Sequence, residues 1–440
     1  AVKENRHIAS LDIGGAYLNA QMPDNHPDII MRIEPQLATI ICDLDASYNK
    51  LLGTKGEIYV KLKRALYGCI ESAKLWQQHL IQTLHNMQFA QNRYDPCVLN
   101  KYLPDGNQIT IAFHVDDLLI TSCNQQAIRD LCNELKNKYA QVKTHEGTIT
   151  SYLGMNIDTS TPGTAKITAD GLIQQIIKDS NVPQLEKPTK SPATSDLFEV
   201  DDDSPLLPKD RSDYFHTFAA RLAYAARMIR HECIAAAAFM VTRVSKSTEQ
   251  DLDKLHTVIR YLHQSHNKGI RGFNITWTSG DKLGVQAYID ASFANNPDRK
   301  SQTGSWIGIG GNGPIDIRSN KQLTVTKSTA EAELTALSDI SNQAIHANNI
   351  LKEQGHTDMP PIKLFQDNKS TILLCEKGKS TSIRTKHIDV KYFWLREKID
   401  NKEIELIHVP TVDMGRANIA TKAVVGAQFT KEAAEQCNWN

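Results

Sequence analysis

Two adjacent carboxylates, Asp116 and Asp117, interrupt the run from Gln108 to Ser122. Before them Ile109, Ile111, Phe113 and Val115 alternate with smaller or more polar residues, and Leu118 and Ile120 resume the pattern afterwards. Such alternation belongs to strands with one buried face, so the run reads as strand, tight turn, strand. Neighbouring carboxylates repel each other unless a cation lies between them. Hard divalent ions such as Mg2+ take these oxygens and keep room for substrate phosphates. An Asp-Asp pair arises about once by chance in a chain of this length, so the dipeptide alone says little. Asp201 to Asp203, set among Ser204, Pro205 and Pro208 without flanking alternation, reads as a solvated linker. What distinguishes Asp116 and Asp117 is a second segment, His7 to Tyr17, where an apolar run delivers Asp12 into a Gly14-Gly15 loop. Backbone can approach a phosphate closely at such a loop. Three aspartates at two strand ends suffice to hold two metals for in-line phosphoryl transfer.

These segments carry a resemblance. Leu11 to Leu18, Lys61 to Gly68 and Phe113 to Leu118 resemble successive palm motifs of reverse transcriptases, above all those of copia-type (Ty1/copia) LTR retrotransposon Pol polyproteins. Tyr152 to Ile157 is similar to that family's primer-grip hairpin, and Lys327 to Leu334 and Thr385 to Val390 are similar to its RNase H signatures. The motifs follow one another in family order over nearly the whole chain, which is more specific than any one of them. The resemblance implies an RNA-directed DNA polymerase with an RNase H domain. It implies an α/β (α+β) fold: a right-hand palm with partial fingers, a helical thumb or connection, then an RNase H-like mixed sheet. Two Mg2+ (or Mn2+) ions per active site are expected, one pair at Asp12, Asp116 and Asp117, the other at Asp290, Glu333 and Asp367. Tyr17 matches the aromatic that blocks a ribonucleotide 2′-hydroxyl, and Gly68, Glu71 and Gly154 fall at substrate-facing positions. RNA template, DNA primer, dNTPs and RNA–DNA hybrid follow as partners, with other Gag and Pol products beside them. A cytoplasmic virus-like particle is the expected location, with a nuclear phase as an alternative.

Several positions depart from the family pattern. Cys69, Ile70 and Glu71 stand where Leu-Lys-Gln is usual, and Glu71 would place negative charge near a triphosphate. His114 replaces an aromatic residue, and the family's basic fingers segment does not precede Asp12. The first residue, Ala1, suggests a piece of a longer polyprotein. Asn418, in the run Ala417 to Lys422, stands in place of the fourth RNase H aspartate. An amide keeps one acceptor oxygen but loses the charge, so RNase H activity is expected to be impaired. The rival reading is a decayed or co-opted nucleic-acid-binding relic.

Composition is that of an ordinary folded protein: 440 residues, 40% hydrophobic, 23% charged, formal net charge +0. A net charge of zero does not exclude nucleic acid, because a backbone needs a local basic channel rather than a basic total. Lys61, Lys63 and Arg64 form one short basic run that reads equally well as a phosphate contact or a solvated face. The eight cysteines contain no pair at zinc-ligand spacing, and their scatter fits a reducing compartment. The longest apolar run, Ile234 to Val241, is too short to span a bilayer, so no membrane partner is expected.

Three regions must position these residues. Residues 1–168 mix short strands with helices over 72–89 and 127–139 and end in a hairpin turning at 159–163. Residues 169–282 hold a Pro-rich acidic linker (183–210), then helices with small-residue faces at Ala219 to Ala226 and Ala235 to Ala238. Residues 283–440 open on a strand expected to end at Asp290. Strand-like runs at 306–309 and 323–326 follow, then a long helix capped at Ser328 with Glu333 near its first turn. A short strand then leads to Asp367.

Overall fold

The computed structural model describes residues 1–377 and 386–439. The chain divides into two compact units, His7–Glu146 and Gly147–Asn440 with Ala1–Arg6.

In the first unit, β1 (His7–Ile13) is followed by a small hairpin of β2 (Ile30–Ile33) and β3 (Ile58–Lys61) flanking helix α1 (Pro35–Leu44). Helix α2 (Ser72–Asn86) precedes β4 (Ala90–Gln91), β5 (Val98–Tyr102), β6 (Gln108–His114) and β7 (Asp117–Ser122). Helix α3 (Gln125–Lys138) and β8 (Val142–Glu146) close the unit. Six strands pair in the order β4-β5-β6-β7-β1-β8. One sheet face buries Leu11, Ile13, Ile111, Phe113, Leu118 and Ile120 against Trp76 and Leu80 of α2 and Leu131 and Leu135 of α3. Because side chains alternate across a strand, Asp12 and Asp117 necessarily leave from the other face. Val115, expected to continue the β6 alternation, instead lies in the turn with φ 56°.

The second unit begins with β9 (Ile149–Tyr152), β10 (Met155–Asp158), β11 (Thr164–Thr168) and helix α4 (Asp170–Ser180). The β10–β11 hairpin turns at 159–163 as the sequence suggests, and β11 pairs on its other side with β12 (Gly272–Thr276). Residues 181–208 form no helix or strand. Helices α5 (Lys209–Met228), α6 (Ile234–Arg243) and α7 (Glu249–Asn267) follow, with Ala219, Ala225, Ala226 and Ala235 to Ala237 buried at their contacts. Thr248 and Asp251 form a reciprocal capping box at the start of α7. Buried pairs Arg230–Glu232 and Arg243–Asp251 lie among these helices.

The remainder carries β13 (Val285–Ser292), β14 (Gln302–Ile309), β15 (Asp316–Lys321), α8 (Thr329–Glu353), β16 (Ile362–Gln366), α9 (Lys369–Lys377), α10 (Lys386–Asp400), β17 (Ile404–His408), α11 (Gly415–Asn418) and α12 (Gly426–Cys437). The strands pair in the order β15-β14-β13-β16-β17. The β13–β14–β15 pairings are antiparallel and the β13–β16–β17 pairings parallel. Helix α8 covers one face, packing Leu334, Leu337 and Ile340 over Val285, Ala287 and Ile289. Two sequence expectations change here. β13 runs on to Ser292, so Asp290 lies inside a paired strand rather than at its end, and residues 323–326 form no strand. Thr385 lies outside the described residues, as does the side chain of His387.

Candidate active sites

In the first unit Asp12 and Asp117 are direct partners in the antiparallel register of β1 and β7. Cross-strand partners on one face hold their Cβ atoms roughly 5 Å apart, which sets the two carboxylates side by side. Burial raises the Asp117 carboxyl above its usual range, and the charges of Asp116 and Asp12 raise it further. His114, opposite Asp117 in the β6–β7 pairing, pulls the other way. Asp116 sits in the turn, where its carbonyl accepts from the Ile13 amide at 3.1 Å. The turn is held from the core side by Trp76, whose indole N–H donates to the Val115 carbonyl at 2.6 Å. Trp76 is otherwise a fully buried residue of the α2 core face.

Tyr17 lies in a short 3-10 turn after the glycines, its ring centroid 4.5 Å from that of Tyr67. Burial, then Asp116, Tyr17 and Asp12, push the Tyr67 hydroxyl up, so this second aromatic borders the same carboxylates. Gly14 has a local reason for lacking a side chain: a Cβ there would lie 2.8 Å from the Gln141 side chain. Gly68 adopts φ +96° with open space around it. Glu71 faces His26, its carboxylate 3.9 Å from Nε2. Of the basic run, Lys61 pairs with Asp28, and Arg64 donates to the Leu18 carbonyl at 3.0 Å.

In the second unit Gly154 and Leu153, both with positive φ, form the two-residue turn between β9 and β10. That turn geometry favours glycine because an L side chain is strained there.

The RNase H-like sheet gathers the sequence's second constellation. Among the described residues, only Asp290, Glu333 and Asp367 bring three ligand atoms within 4.8 Å of one another. Asp290 comes from β13, Glu333 from the second turn of α8 and Asp367 from the end of β16. The donor set is three carboxylates, hard oxygen ligands of the kind Mg2+ or Mn2+ takes. Burial, followed by the charge of Asp290, pushes the Glu333 carboxyl up to about 9. Gln366 Nε2 donates to Glu333 Oε2 at 3.1 Å, and the Thr411 hydroxyl donates to Asp367 Oδ2 at 2.7 Å.

Asn418 is buried on the opposing segment. Its Nδ2 donates to the Thr411 carbonyl at 3.3 Å, and its Oδ1 accepts from Lys422 Nζ at 3.1 Å. Thr421 donates its hydroxyl to Asp290 Oδ2. This close seating depends on Gly304, the cross-strand partner of Asp290. A Cβ on Gly304 would lie 2.4 Å from Thr421 Cγ2 and 2.8 Å from the Ala417 carbonyl. Nothing in the sequence around Gly304 signals that approach. Asp413 is exposed and outside the carboxylate group.

The fold is that of a polymerase region followed by an RNase H-like domain. Residues 1–193 match the family described as reverse transcriptase (RNA-dependent DNA polymerase). The chain is 26% identical over 382 residues to the retrovirus-related Pol polyprotein from transposon TNT 1-94 of Nicotiana tabacum, covering 85% of this chain and 28% of that protein. It is 26% identical over 440 residues to the Pol polyprotein from transposon RE1 of Arabidopsis thaliana, covering 99% and 28%. Against the Ty1-DR6 Gag-Pol polyprotein of Saccharomyces cerevisiae the identity is 23% over 426 residues, covering 93% and 22%. The chain thus spans less than a third of the length of these relatives. A foamy viral protease-reverse transcriptase, solved in complex with RNA/DNA hybrid, shares the fold with TM-score 0.51 and 12% identity, covering 96% of this chain and 45% of that one. The resemblance to copia-type reverse transcriptases is therefore carried by relatives as well as by motifs.

Proposed function

We propose that this chain is the reverse transcriptase–RNase H part of a copia-type Pol polyprotein, copying RNA into DNA at Asp12, Asp116 and Asp117. The observation that carries the reading is the direct pairing of Asp12 with Asp117 in the region that matches the reverse transcriptase family. Two divalent cations at these carboxylates would supply the charge that favours a primer alkoxide and a departing pyrophosphate. The chain's own residues do the positioning. Trp76 fixes the turn that presents Asp116, and the Tyr17–Tyr67 pair gives the sugar a rigid wall. Glu71, facing His26, need not confront the triphosphate.

The substrates are RNA template, DNA primer and dNTPs. RNA–DNA hybrid is the ligand of the second site, the class of ligand named for the foamy viral neighbour. We read 1–168 as palm with partial fingers and primer-grip hairpin, the hairpin of residues 149–168 lying in the second compact unit, 169–282 as thumb or connection and 283–440 as the RNase H domain. Among the described residues no helix is long and apolar enough to cross a membrane. A virus-like particle in the cytoplasm is the proposed setting.

Asn418 favours a second reading for the carboxyl-terminal site alone: it holds hybrid but cuts weakly, as in an element under decay. Two assays on the 440-residue chain test both readings. Extension of a DNA primer on RNA with Mg2+, abolished by chelation, supports polymerase function, and its absence counts against it. Hybrid cleavage that rises strongly in Asn418→Asp supports a weakened RNase H site, whereas equal robust cutting by both removes that part.

A further inference from the structure

The RNase H-like site contains a cation of its own. Lys422 Nζ lies 3.0 Å from Asp290 Oδ2 and 3.1 Å from Asn418 Oδ1, so one ammonium bridges the carboxylate and the amide. Asp290 is 2% exposed while Lys422 remains 43% exposed, so the charge reaches in from the rim on a flexible stem. Burial raises the carboxyl of Glu432, which lies beside Asn418, and the charge of Lys422 pulls it the other way. The Gly304 gap brings the 417–421 segment against β14, and Lys422 follows directly on Thr421, which itself donates to Asp290.

We propose that Lys422 is a resident competitor of the divalent cation at Asp290, and that Asn418 makes it so. Four residues apart, 418 and 422 lie within reach of each other. An aspartate at 418 would hold the ammonium by charge, whereas the amide offers only a dipole. Asp290 is then the full anionic partner in contact with Lys422. A divalent ion entering there must displace the ammonium, so the site takes metal only at raised concentration. Lys422 is a positioning residue that acts through Asp290. The inference rests on the reading of Asp290, Glu333 and Asp367 as a metal site.

The test reads metal occupancy at the site without requiring turnover. Fe2+ with ascorbate and peroxide cleaves backbone near a bound ion, so fragments ending near residues 290, 333 and 367 report this site separately from the one at Asp12. Lys422→Met should lower the half-saturating Fe2+ concentration by at least about fivefold, the scale of one partly screened charge contact. Lys422→Arg, which keeps the charge, should stay within about twofold of the parent. Asn418→Asp should also tighten binding. Unchanged or weaker occupancy in Lys422→Met, with normal cleavage in the parent, overturns the inference alone. No cleavage at these positions in any variant overturns the metal-site reading and the inference with it.

Discussion

Asp12 and Asp117 face each other across the β1–β7 pairing, two like charges at one cross-strand position. Such pairs are destabilising by roughly 0.2–1 kcal/mol in the absence of a counter-ion. The Asp117 carboxyl is raised by burial and by its neighbours, so the folded chain keeps this proton to higher pH than the unfolded chain does. The penalty is therefore absent at acid pH and appears as pH rises through the raised value. Asp117→Asn should unfold at a higher temperature than the parent at pH 7 in EDTA, by the equivalent of about 0.5 kcal/mol. The gain should vanish at pH 3. Added Mg2+ should stabilise the parent more than the variant. Equal melting and equal Mg2+ response at pH 7 would refute the electrostatic account of this pair.

Tyr17 is expected to exclude ribonucleotides by bulk, with Tyr67 packed against it at 4.5 Å. Tyr17→Ala should retain dNTP use while the preference for dNTP over rNTP falls by about tenfold or more. The ratio of incorporation efficiencies on one template checks this. An unchanged ratio would move sugar discrimination to other residues.

Gly304 permits the 417–421 segment to lie against β14 beside Asp290. Gly304→Ala places a methyl group into the Thr421 side chain and the Ala417 carbonyl and should cost about 1–3 kcal/mol. Thermal unfolding would show the loss. Full stability in this variant would mean that the segment moves aside freely.

Local pattern was legible, and so were the groups that local pattern presents. The alternation around Asp116 and Asp117 gave the β6–β7 hairpin, and Ser328 marked the cap of α8, accepting from the Glu331 amide. Asp290, Glu333 and Asp367 could be named together because the RNase H resemblance groups them, local pattern placing each only near an element end. Sequence gave no access to contacts made by the chain folding back on itself. Trp76 reaches Val115 from 39 residues away, and Thr421 reaches Asp290 from 131. Periodicity also cannot show where pairing stops. Val115 fits the alternation yet turns out of the strand, while Asp290, where the strand was expected to end, is followed by two more paired residues. Lys422 gave no signal as a single lysine in a motif; only its distances to Asp290 and Asn418 mark it.

The most direct measurement is extension of a DNA primer on an RNA template by the parent chain and by Asp116→Asn in the same Mg2+ buffer. The substitution keeps the turn's shape and removes one charge from the carboxylate set. The parent should incorporate dNTPs and the variant should lose about a hundredfold or more of that rate. Equal extension by both would contradict the assignment of polymerase chemistry to these aspartates.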